Sequence, residues 1–177
     1  APVAALNLAS FLAAPANEES DIEDAAAIGS RIYWITSHGR NSKGKAQPDR
    51  HRFFATEVLP GDPPTLKPVG QAYVHLLRDM AGNDALKPYG LDDAARLAAE
   101  DDGGLNIEGL AATPAGTLLI GLYDNLESFT RAIELSDKDG FLNDPNRFAA
   151  VALRANAAMK SAVVVTNLDP GQYAIIV

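Results

Sequence analysis

The chain has 177 residues, a formal net charge of -8 at pH 7, a pI near 4.8 and 47% hydrophobic residues. These values fit one domain, or one domain plus a fragment, with enough apolar content to bury a core, and the acidic balance argues against a general nucleic-acid binder. There is no cysteine, and no apolar run reaches the ~18–20 residues of a membrane span; disulfides, thiolate chemistry, zinc–thiolate centres and a spanning helix are excluded.

The opening APVAALNLASFLAAPANEES lacks an initiator Met and the basic region of a secretory signal, so it reads as mature sequence. Within it, ALNLASFL suits a strand or a short helix. AAAIGSRIYWITS (residues 25–37) and HRFFATEVL (51–59) are rich in β-branched and aromatic residues. A Gly/Lys/Pro-rich connection joins them, which predicts a hairpin. From GQAYVHLLRDMAG (70–82) to LDDAARLAAEDDGG (91–104) the apolar residues fall three and four apart, predicting two helices separated by KPYG. TLLIGLY (117–123) reads as a strand after the turn signal TPAG, and a third helix is expected in NLESFTRAIEL (125–135). AVVVTNL and YAIIV, joined by the turn DPGQ, predict a closing hairpin over 162–177. The expected class is therefore mainly β, antiparallel hairpins with a helical insertion at about 71–102; an α+β arrangement is the alternative.

One repeat organises this pattern. DIEDAAA (21–27) matches NIEGLAA (106–112), and each copy runs into a turn and then an apolar strand, IYWI or TLLI. Such an echo is expected when one supersecondary unit is used twice. Strand alternation places Asp21 and Glu23 on one side, with Asn106 and Glu108 in the same relation in the second copy. Oxygen ligands of this kind suit a hard cation such as calcium. Two carboxyl groups with separated pKa values would also serve as acid and base. The plainer alternative is that the glutamates bond to nearby backbone N–H groups and tie one unit to the next.

The loop SHGRNSKGKAQPDRHR (37–52) carries Arg40, Lys43, Arg50 and Arg52 with little opposing charge, a candidate contact for phosphate or a carboxylated ligand. Ser37 beside His38 makes no catalytic pair, since strand neighbours point to opposite faces. DKDGFLND (137–144) lacks the full set of calcium-loop ligands and reads as a polar turn. Trp34, inside an apolar strand, is expected in the core.

LNLASFL, the whole stretch from Ser20 to Val58 and GLNIEGLAATPAGTLLIG together resemble a bacterial propeller-like family of unknown function, related to the calcium-associated, esterase-like phytase propellers. The resemblance covers roughly residues 4–121. It implies antiparallel propeller hairpins, a calcium or phosphorylated-ligand site at the repeated motif and, if the chain is an enzyme, a hydrolase of the phosphoesterase type. The family motif has glycine where this chain has Asp24, which alters the local turn geometry. Residues 118–177 are similar to a second bacterial family, small exported β-sandwich domains of unknown function. The pair implies a partial propeller-like segment (1–121) packed with a partial sandwich-like segment (122–177), in a secreted or periplasmic setting. Propellers close with about four to eight blades. Open strand edges are thus expected to be covered by the second segment, another chain or an oligomer. A non-catalytic binding or structural module without metal is the competing expectation.

Overall fold

The computed structural model describes residues 5–15, 19–124, 128–135, 138–143 and 153–156. Strands β1 (Ile22–Ile28), β2 (Arg31–Thr36), β3 (Phe53–Leu59) and β4 (Thr65–Tyr73) form one antiparallel sheet in sequence order. A second sheet repeats that order with β5 (Asn106–Ala112), β6 (Leu118–Asp124), β7 (Ser128–Leu135) and β8 (Leu153–Asn156). Among the described residues four short α-helices accompany them: α1 (Ala9–Leu12), α2 (Leu76–Ala81), α3 (Leu91–Ala94) and α4 (Lys138–Asn143). The architecture is mainly β and antiparallel, with the helical insertion between the two sheets in the chain. Among the described residues, no helix is long and apolar enough to cross a membrane.

The two sheets match in strand order and in the place of one bulge. β1 turns into β2 through Gly29 and Ser30, with Ile28 opposite Arg31 and Gly29 at φ 62. A glycine in the first central position suits such a two-residue hairpin loop. Along β1, Ile22 pairs with Thr36 and Asp24 with Ile35, leaving Glu23 as a bulge without a cross-strand partner. Along β5, Ile107 pairs with Leu122 and Gly109 with Gly121, leaving Glu108 unpaired at the matching position. Each copy therefore carries one extra residue, and in both it is the glutamate of the motif.

One continuous core fills the space between the sheets and the insertion. Tyr33, Ile35, Phe53 and Tyr73 meet Ile107, Ile120 and Leu122, while Leu76, Met80, Leu86 and Leu91 close one side. Each such side chain contributes about 1.5–3 kcal/mol by leaving water. On the other face of the first sheet Trp34 is partly buried, stacked on Phe54 with ring centres 6.2 Å apart and donating Nε1–H to Thr56 on β3 at 3.0 Å.

Three expectations need correction. Residues 71–73 are not helical, because β4 continues to Tyr73, paired with Phe53, and helix α2 begins only at Leu76. Pro68 is tolerated in β4 because an edge strand needs no ladder N–H there. The third helix is a strand: β7 pairs with β6, burying Ile133 and Leu135 while Glu134 between them is partly exposed. Residues 138–143 wind into α4 rather than a turn, and its Asp139 accepts from Arg31 (2.6 Å) and the Tyr33 hydroxyl (2.7 Å), tying α4 to the first sheet. The junction expected near Gly121 falls inside β6. The predicted hairpin of 162–177 lies outside the described residues.

Candidate functional site

The two motif copies meet. A cleft of about 270 Å³ is lined by Asp21, Glu23, Asn106 and Glu108 from the copies, by Ser37, Arg40, Asn41, Ser42 and Arg50 from the basic loop, and by Ala99 and Glu100 from the insertion. All four acidic or amide residues singled out by the repeat thus share one cavity. Arg40 and Arg50 are there as well; Lys43 and Arg52 are not.

Different elements hold each wall. Asp21 sits at φ 53, a left-handed conformation that costs an aspartate energy and turns the chain into β1. Its Oδ2 accepts from Ser37 Oγ at 2.8 Å and from Arg50 Nη1 at 2.6 Å, while Arg50 also reaches Glu19 at 3.3 Å. Asp21 is therefore held in place, with its negative charge offset only in part by an Arg50 that Glu19 shares. Arg40 donates to the carbonyls of Ala95 (2.9 Å) and Gly44 (2.9 Å), tying the loop to the insertion.

Among the described residues Glu23 and Glu108 have no such cation of their own. Burial, reinforced by the negative charges of Glu108 and Asp21 and a hydrogen bond with Glu108, pushes the Glu23 carboxyl up to about 7 against the pull of Arg50. Asn106 is only 2% exposed, and its Nδ2 has no hydrogen-bond partner among the described residues. Such an orphaned buried amide is costly unless something further satisfies it. No three His, Asp or Glu side chains form a ready ligand cluster among the described residues. A cation here would draw on two carboxylates and the Asn106 amide oxygen, a donor set that suits a hard ion in type.

The remaining cations of the loop have other work. Lys43 is exposed and outside the cleft. Arg52 is buried and donates to the carbonyls of Leu12 (3.0 Å), Pro48 (2.9 Å) and His51 (2.9 Å), which leaves it a structural rather than a ligand-facing group. Its carbonyl partners lie as far away as α1, so no local signal distinguished it from Arg50.

Ser37 and His38 part company as expected, but beyond the end of β2 and with His38 at φ 54, so the turn of the chain rather than strand alternation separates them. Ser37 faces the cleft, whereas His38 is 1% exposed, stacks on His51 at 5.4 Å and places Nδ1 2.7 Å from the Thr36 carbonyl. Burial pushes the His38 imidazole down to about 3; the Thr36 hydrogen bond opposes this, and His51 and Arg52 add to it. The unfolded chain takes up this proton near 6.5, so the His38 contribution is intact above that pH and is lost as pH falls towards 3. His38→Asn, which tolerates the φ of 54 at this position, is expected to shrink the drop in Tm between pH 7 and pH 5 measured by thermal melts. An undiminished drop would remove His38 as its source.

The fold and site together define a mainly β chain in which two copies of one meander build a polar, carboxyl-rich cleft at their junction. No protein-family model, curated protein or solved structure matches the chain.

Proposed function

We propose that the chain is a binding module whose cleft holds a divalent cation, calcium by ligand type, through Glu23, Glu108 and the amide oxygen of Asn106. The observation that carries this reading is the convergence of both bulged glutamates, one from each motif copy, in one cavity. Asp21, held by Arg50 and Ser37, shapes the wall and keeps the local charge negative. The resemblance to calcium-associated propellers points the same way, with each four-stranded meander as a blade and an extracytoplasmic setting. It also suggests a phosphorylated ligand, which would meet Arg40 at the cleft rim. A second reading, a structural module without metal, is favoured by the hydrogen bond between the two carboxyl groups, which would then only join the units.

Calcium titration by calorimetry separates the two. The wild type is expected to bind and to release a proton, because Glu23, carrying one below about 7, must give it up. Among the facing groups, Asp21, Glu108 and Glu100 favour protonation and Arg50 and Arg40 oppose it, so affinity rises with pH, by about tenfold from pH 6 to 8. Glu23→Gln and Glu108→Gln should each weaken binding at least about tenfold. No binding by the wild type, with unchanged stability in both variants, would sink the cation reading.

A further inference from the structure

β1 and β5 lie side by side but belong to different sheets, so no ladder sets the distance between Glu23 and Glu108. Both glutamates are also bulge residues, whose positions their own ladders leave open. Something else must hold the pair together.

Two hydrogen bonds do so, and they bracket Glu108. Ile107 N–H donates to the Ser37 carbonyl at 3.3 Å, and Leu110 N–H donates to Asp24 Oδ2 at 2.8 Å. Asp24 follows Glu23 directly, and its other oxygen accepts from the N–H of Ala25 at 2.7 Å, which locks the carboxylate against its own strand. The bond to Leu110 is charge-assisted and hence stronger than an ordinary backbone pair. The contact runs one way only: the position matching Asp24 in the second copy is Gly109, which has no side chain to return it. Asp24 does not line the cleft.

We infer that Asp24 is a positioning residue of the cleft, a clamp from the first motif copy onto the backbone of the second that sets Glu108 against Glu23. This rests on the cation reading for its consequence, since the clamp acts on affinity through the spacing of the two carboxyl groups. It also gives a physical reason for an aspartate at this place in one copy and glycine in the other. Asp24 lies within β1 outside the left-handed region, so glycine would relieve no strain there and would leave the Leu110 N–H without its acceptor.

The experiment compares Asp24→Gly, Asp24→Asn and Asp139→Asn with the wild type, by calcium calorimetry, thermal melts and hydrogen exchange at the Leu110 amide. Asp139→Asn weakens a tie between α4 and the first sheet, remote from the cleft lining, and controls for general loosening. Asp24→Gly is expected to weaken calcium binding at least about tenfold and to speed exchange at Leu110, with a loss of Tm no larger than that of Asp139→Asn, whose affinity stays at the wild-type level. Asp24→Asn, whose amide oxygen can still accept from Leu110, should recover most of the affinity. Wild-type affinity in Asp24→Gly would overturn the positioning role, as would equal loss in Asp139→Asn. Absence of calcium binding by the wild type would instead overturn the cation reading itself.

Discussion

Gly104→Ala is expected to cost about 3 kcal/mol or more, the upper end of what overpacking a tight site does. Gly104 closes the insertion just before β5: its N–H donates to the Asp101 carbonyl at 2.8 Å, and Leu105 N–H donates to the Ala94 carbonyl at 3.0 Å. A methyl group there would overlap the Ala98 carbonyl oxygen and press on that of Asp101. Both obstacles are backbone, so no side chain can swing aside. Relief requires moving the 98–104 segment or the start of β5, and either movement displaces Asn106 and Glu108. Gly103→Ala is the control, since Gly103 has φ 76 but open space around it. That change costs only the strain of a left-handed alanine, about 1 kcal/mol. Urea denaturation of the two variants should place Gly104→Ala well below Gly103→Ala. Equal midpoints would mean that the segment yields easily.

Arg52→Ala should be comparably damaging, about 3–5 kcal/mol, because it removes the only side chain shown to donate to the carbonyls of Leu12, Pro48 and His51 among the described residues. Arg52→Lys is not expected to rescue it: a single ammonium cannot reproduce a planar fork aimed at three oxygens in different directions. Arg50→Ala makes the contrast. Arg50 is more exposed and serves carboxylates, so its loss should perturb the cleft through Asp21 while costing the fold much less. Denaturation midpoints alongside calcium affinity would show the division, with Arg52 variants losing stability and Arg50→Ala changing affinity. The opposite pattern would return Arg52 to the ligand-facing set.

That contrast marks where sequence reasoning reached its limit. The basic loop was visible as five Lys and Arg side chains in sixteen residues, but the partners that consume Arg52 come from α1 and from carbonyls, which leave no trace in charge patterning. The repeat was legible because both copies kept the same residue types in the same order. The bulges were not, since alternation assumes an uninterrupted ladder. β4 escaped notice because Lys67, Pro68 and Gly70 are poor strand formers, and only pairing with β3 overrides them. β7 was misread as helical although Ile133 and Leu135 alternate around Glu134. Over so few residues the two periods are hard to tell apart without knowing that β6 lies alongside.

The unpaired position in each meander has a consequence for redesign. Every other residue of β1 and β5 with a cross-strand partner is constrained from opposite, so a change there is felt by a second strand. Glu23 and Glu108 answer to no such neighbour. A repeated unit with one spare place can alter its chemistry there without disturbing its pairing, although both copies carry glutamate at that place and differ at its flanks, Asp21 against Asn106 and Asp24 against Gly109. Redesign of this protein for a different guest would therefore start at positions 23 and 108, where the scaffold has least to lose.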